Sequence, residues 1–208
     1  MRGLWRIEQE LRANGAIHIA GVDEAGRGPL AGPVVAAAVM LRPRCRLPGL
    51  ADSKALSAQQ RERLYALIQR RAITIGVAAV DARTVDRMNV LQATFRAMRE
   101  AILQLQPQPA LVLVDGHPLP QAPVPQRNLL QGDRRCGSIA AASIVAKVVR
   151  DRIMDEMHEL YPGYGFRAHR GYATPQHLAC LAELGPCPEH RMSFAPVRAL
   201  FQERLRLE

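Results

Sequence analysis

The stretch Ile17-His18-Ile19-Ala20-Gly21-Val22-Asp23-Glu24-Ala25-Gly26-Arg27-Gly28-Pro29-Leu30-Ala31-Gly32-Pro33-Val34-Val35-Ala36-Ala37-Ala38-Val39-Met40 decides how this chain folds. Residues 17–23 read as a strand. Residues 34–40 read as a second strand, buried on both faces because they are apolar without alternation. The glycine- and proline-rich piece 26–33 is short enough for a hairpin-like reversal between them. Two adjacent carboxylates, Asp23 and Glu24, close the first strand, and a glycine-flanked cation follows. Glycines let a backbone approach a ligand closely, so Gly26-Arg27-Gly28 beside two acids suits a site that holds metal ions against a phosphate. A plain tight turn with solvated acids is the alternative at this point.

Working outward, residues 4–14 carry Leu4, Ile7 and Leu11 at helical spacing. Residues 42–50 form a loop, and Ser57 opens a helix to about Arg70. A third strand covers 72–79. A long helical pattern runs over roughly 83–105. Leu111–Asp115 is a fourth strand that also ends on an acid. A proline-rich loop spans 118–125, and Asn128-Leu129-Leu130 is a short fifth strand. A long helix, rich in small residues at its start, runs from Ser138 to about Leu160, and Pro162-Gly163-Tyr164-Gly165 breaks it. Thr174 caps a helix to about Leu184, and 194–206 is helical. The order predicts an α/β fold, a mixed five-stranded sheet flanked by helices with a small helical C-terminal part. Residues 1–160 are expected to form the core and 161–208 a helical part packed on it.

The chain has 208 residues and a net charge of +9. That length fits one domain, with or without a small appendage, and that charge favours a polyanionic partner. Charge alone also fits a generic basic protein. No apolar stretch is long enough to span a bilayer, and the first residues lack the apolar core of a secretory signal. Cys45, Cys136, Cys180 and Cys187 are scattered without a CxxC pair, which reads as reduced thiols in a cytoplasmic protein. The basic residues are 26 arginines and two lysines. The lysines, Lys54 in Asp52-Ser53-Lys54 and Lys147 in Ser143-Ile144-Val145-Ala146-Lys147, are therefore candidate compact ammonium groups. They are assigned to phosphate contact or to salt bridges behind the acids.

If strands one and four are parallel neighbours, Asp23 and Asp115 end side by side at the sheet edge where open α/β sheets place their sites. Glu24 adds an oxygen ligand, and Asp133 follows the fifth strand. Like charges so close repel, and a divalent cation removes the conflict. Oxygen-only ligands favour Mg²⁺ or Mn²⁺ over zinc. Two such ions about 4 Å apart serve in-line phosphoryl chemistry. Taken singly, Asp115-Gly116 is a turn, Asp133 a solvated loop acid and Asp52 a turn cap; the joint pattern carries the site. Tyr172, between Gly171 and Ala173 and near Arg167, His169 and Arg170, suits stacking on a sugar or base, whereas Tyr161 and Phe166 read as core. His177, Cys180, Cys187 and His190 have zinc-ligand types, but their spacing matches no common finger, and Cys180 reads as a small packed hydrophobe.

The chain resembles the type 2 ribonuclease H family, ribonuclease HII. The matching motifs are Gly21–Leu30, Asp52-Ser53-Lys54, Val114-Asp115-Gly116, Gly132-Asp133, Ser138–Asp151, Tyr164–Thr174 and His190–Val197. They run in order at family-like spacing from about residue 17 to 198. The resemblance implies a ribonuclease H-like fold and metal-dependent endonucleolytic cleavage of RNA in RNA–DNA duplexes. It puts Asp23, Glu24, Asp115 and Asp133 at the four catalytic, metal-holding positions. It makes Gly26, Arg27, Gly28 and Tyr172 the readers of a ribonucleotide and the DNA that follows. Cleavage 5′ to a single embedded ribonucleotide, leaving 3′-hydroxyl and 5′-phosphate ends, is then expected, as in ribonucleotide removal during DNA replication and repair. Position 170 is Arg where many relatives carry Lys. The short tail after Val197 implies a weaker grip on duplex, and no large N-terminal domain of the HIII type is expected. The expected state is a monomer. Two readings compete: a DNA-cutting nuclease of the same fold, and a basic nucleic-acid-binding module without catalysis.

Overall fold

The computed structural model describes residues 3–51 and 53–205, without the side chains of Lys54 and of residues 203–205. Asp52 therefore lies outside the described residues, as does the Lys54 side chain. Helix α1 (Arg6–Ala13) leads into β1 (Ile19–Ala25) and β2 (Val34–Leu41). Then come α2 (Ala58–Arg71), β3 (Ala72–Val80), α3 (Ala82–Met88), α4 (Val90–Leu103), β4 (Leu111–Asp115) and β5 (Gln126–Leu129). Helices α5 (Gly132–Arg135), α6 (Gly137–Leu160), α7 (Phe166–His169), α8 (Pro175–Leu184) and α9 (Ala195–Leu205) complete the described chain. Among the described residues no helix is long and apolar enough to cross a membrane.

The five strands form one mixed sheet in the order β3-β2-β1-β4-β5. β1 pairs antiparallel with β2 and parallel with β4. β2 is buried along its whole length, as expected of a central strand with helices on both faces. On one face, Val22, Ala36 and Val114 pack against Phe95, Met98 and Ile102 of α4. On the other, Ala37 and Val39 pack against Ala141, Ile144 and Val145 of α6. The small residues early in α6 let it lie close to the sheet. Gly21 makes this possible: a Cβ there would run into the backbone of Ser138 and Ile139.

Three local expectations need adjustment. The helical pattern over 83–105 is two helices, because Asn89 takes φ +68° and starts the second one. Its side chain accepts from the N–H groups of Leu91 and Gln92, which a new helix would otherwise leave unsatisfied. The fifth strand begins two residues early and ends at Leu129, because Gln131 turns left-handed at φ +53°. β1 runs on to Ala25 against β2, but its pairing with β4 stops at Val22 and Val114. Asp23 thus stands where a parallel partner ends, not where its own strand ends. The start of α2 follows its sequence signal: Ser57 accepts from Gln60 N–H and Gln60 returns the bond, a capping box worth about 1 kcal/mol.

Candidate active site

Parallel register places Val22 opposite Val114, so Asp23 and Asp115 follow as neighbours on strands about 4.8 Å apart. Strand alternation turns both toward the α6 face and Glu24 toward the α4 face. Asp23 is 5% exposed; one oxygen accepts the Glu24 N–H at 2.8 Å, and Ser143 of α6 lines the same cleft. Asp115 accepts the Gly132 N–H at 2.6 Å, which ties β4 to α5 and brings the buried Asp133 alongside. Glu24 accepts from Arg27 at 3.2 Å.

These groups border one cleft of about 620 Å³, together with Gly26, Arg27, Gly28, Ser53, Ser143, Lys147 and Tyr172. Every described residue expected at the site is therefore on its wall, save Lys54, whose side chain is outside the described residues. Lys147 is also ion-paired with Asp151 at 2.6 Å, and burial pushes its ammonium down. Arg170 turns away from the cleft to bond Asp155 and the Asp151 carbonyl.

Burial first, then the charges of Glu24 and Asp115, hold the Asp23 carboxyl well above the ordinary carboxylate range. Burial also raises Glu24, with Arg27 opposing. Among the described residues no three His, Cys, Asp or Glu side chains are gathered into a ready-made metal cage. The donor set nevertheless fits a hard divalent cation: it is oxygen-only, buried and mutually repelling, and a cation between the acids would relieve that repulsion.

Two buried arginines that sequence reading did not single out stand behind the glycine loop. Arg191 is fully buried and donates to the carbonyls of Gly26 (2.6 Å), Arg27 (3.0 Å) and Gly32 (2.7 and 3.0 Å). Burial and the nearby Arg150 push its guanidinium down to about 9, still charged at neutral pH. Trans peptides point N–H and C=O in opposite directions. With the Gly26 and Arg27 carbonyls drawn inward, the N–H groups of Arg27 and Gly28 face away from Arg191. Among the described residues neither donates a hydrogen bond. Arg150, equally buried, holds the carbonyls of Ala31, Pro33 and Arg170. It joins the glycine loop to the segment carrying Tyr172 and lies 6.0 Å from that ring. The Leu30 N–H to Gly171 carbonyl bond, 2.8 Å, closes the same junction. Both arginines lie inside motifs noted in the sequence, but nothing in their spacing marks them as buried.

Behind Tyr172, the imidazoles of the zinc-like quartet bond one another. The Tyr172 carbonyl can only accept, so His177 Nδ1 donates to it at 2.9 Å. In the neutral ring His177 Nε2 then accepts from His190 Nε2 at 3.1 Å, and His190 Nδ1 accepts the Cys187 N–H at 3.0 Å. Cys180 packs against the apolar cluster that includes Tyr164 and Phe166.

Residues 20–197 match the family profile described as Ribonuclease HII. The chain is 53% identical to the ribonuclease HII of Geobacter metallireducens over 95% of its own length and 92% of that protein's. It is 51% identical to that of Geobacillus kaustophilus, over 96% of this chain and 76% of the relative. Among solved structures, the ribonuclease H2 of Pyrococcus horikoshii superposes with a TM-score of 0.78 at 28% identity, over 92% of this chain and all of that one. Ribonuclease HII of Archaeoglobus fulgidus, solved as a complex with PCNA, gives a TM-score of 0.73 at 29% identity, over 86% and 95% of the two chains. A match running through every strand, from β1 to the start of α9, at half identity with full-length relatives, means that the chain belongs to the ribonuclease HII family of type 2 ribonuclease H endonucleases.

Proposed function

We propose that this protein cleaves the RNA strand of RNA–DNA hybrids with the help of Mn²⁺ or Mg²⁺. We include in this the phosphodiester 5′ to a single ribonucleotide embedded in duplex DNA, with 3′-hydroxyl and 5′-phosphate products. The observation that carries the reading is one cleft lined by the four carboxylates, the Gly26-Arg27-Gly28 loop and Tyr172 together. Asp23, Glu24, Asp115 and Asp133 are the residues that would hold the cations. Bound there, cations lower the pKa of a water nucleophile and neutralise the leaving oxygen.

The chain's own groups supply selectivity. The outward N–H groups of Arg27 and Gly28 offer donors to a 2′-hydroxyl, the group that separates RNA from DNA at one position. Tyr172, 45% exposed, offers a ring for the adjoining deoxyribose. Arg27, with its side chain 48% exposed, and Lys147 draw in the phosphates, in keeping with the basic charge of the chain. Residues 161–208 act as the substrate-binding part and 1–160 as the catalytic core.

The test is cleavage of a labelled DNA duplex carrying one ribonucleotide, with Mg²⁺ or Mn²⁺, beside an all-DNA duplex and an Asp23→Asn variant. A single cut 5′ to the ribonucleotide, lost in the variant and absent from all-DNA, is expected. Tyr172→Ala should lose more activity on that duplex than on a long hybrid. Cutting of the all-DNA duplex, or no dependence on Asp23, would sink the reading.

A further inference from the structure

A second basic concavity lies away from the carboxylates. β2 runs antiparallel to β1, pairing Ala37 with Asp23 and Met40 with Ala20. The segment after Leu41 therefore leaves the sheet at the edge opposite the acids, about 15 Å along the strands from Asp23. There a cavity of about 910 Å³ is lined by Trp5, Arg12, Arg44 and Arg46 among others. It adjoins a hollow walled by Arg42, Arg70 and Arg71, with Arg44 and Arg46 shared. No Asp or Glu lines either.

Some arginines elsewhere on the surface pair with acids, as in Arg152 with Glu62, Arg96 with Glu100 and Arg170 with Asp155. Among the described residues none of these six has an acidic partner. Six guanidiniums gathered without counter-charge repel one another, and an anion relieves that repulsion. Guanidinium forks match phosphate oxygens. Trp5, half-buried, lies flat enough on Gly137 that a Cβ there would strike its ring, and the rest of the indole lines the cavity. An aromatic wall beside guanidiniums is the combination that takes an unpaired base and its phosphates.

We propose that this concavity binds a single-stranded nucleic-acid segment, with bases against Trp5 and phosphates on Arg12, Arg44 and Arg46. Two adjoining hollows with six cations carry more charge than one nucleoside triphosphate neutralises, which favours a strand over a free nucleotide. The site is independent of the cleavage cleft and of its assignment.

Trp5 is the only tryptophan of the chain, so its emission reports on this cavity. The metal-free protein is titrated with a short oligothymidylate of about eight nucleotides, with a nucleoside triphosphate and with inorganic phosphate. Saturable quenching by the oligonucleotide is expected. It should weaken about tenfold or more in an Arg44→Ala/Arg46→Ala variant and persist in Tyr172→Ala. The slope of log affinity against log salt should fall by about 1.4 in the double variant, since each single-strand phosphate contact contributes about 0.7. Cleavage of a short duplex should be unchanged in that variant. Quenching by the triphosphate but not the oligonucleotide would overturn the strand. No quenching, or equal quenching in the double variant, would overturn the site.

Discussion

Replacing Arg191 by Met keeps the length and apolar bulk of the side chain but removes its hydrogen-bond fork. Three carbonyls, those of Gly26, Arg27 and Gly32, lose the donor that holds them. The side chain is fully buried, so water does not replace it without opening the loop. Leaving a buried carbonyl unsatisfied costs about 1 kcal/mol at least, so Arg191→Met should lose about 3 kcal/mol. Removing a buried cation returns some desolvation energy, which makes the lower end of that range the fair expectation. For a chain of this size about 3 kcal/mol corresponds to a fall of roughly 6–12 °C in Tm. Arg191→Lys keeps the charge but cannot span three acceptors with a planar fork, and should fall between wild type and Met. Calorimetry reads the stability. Steady-state cleavage of the single-ribonucleotide duplex reads the loop, where a displaced N–H edge should lower kcat/KM by about tenfold or more. A Tm drop under about 2 °C in the Met variant would refute the idea that Arg191 builds this loop.

The histidine chain behind Tyr172 makes the fold acid-sensitive. His190, 2% exposed, is pushed from its ordinary 6.5 to about 4 by burial and by His177. The unfolded chain takes up this proton first, so the associated stability is whole above about pH 6.5 and is lost as pH falls toward 4. It amounts to about 3 kcal/mol; urea unfolding across that window checks it, and a His190→Gln variant with an undiminished slope would count against it. Mn²⁺ at about a hundredfold over its Kd should raise stability by about 2.7 kcal/mol, or roughly 5–10 °C. That shift should vanish in Asp23→Asn, whose metal-free form should melt no lower than wild type because a buried charge is gone; an equal shift in both proteins would exclude Asp23 as a ligand. Gly21→Ala drives a methyl into the backbone of α6 at Ser138 and should cost about 3 kcal/mol. A urea midpoint within error of wild type would refute that close approach.

Periodicity and punctuation made much of the fold legible. A short unalternating apolar run bounded by glycine and proline suits a strand covered on both faces, and that is what β2 is. Ser57 and Thr174 cap the helices they were expected to open, since a cap is a local bond between neighbours in sequence. The 83–105 pattern misled because Asn89 changes the backbone direction without changing the apolar spacing. The acids of the cleft were readable because carboxylates after apolar runs are conspicuous in a basic chain.

What the sequence by itself determined is the five strands, most of the longer helices and the chemical character of the cleft, because these depend on residue types a few positions apart. Tertiary structure alone decided which groups stand behind that cleft. Arg191 meets Gly26 across 165 positions and Arg150 meets Pro33 across 117, and no local pattern encodes a guanidinium buried against backbone carbonyls. The same holds for the Ser53–Ser143 hydroxyl pair beside Asp23, 90 positions apart at 2.9 Å, and for the arginines around Trp5, which come from three separate segments. Such contacts exist only once the sheet and α6 have packed, since packing sets which distant side chains are left without water and must find one another.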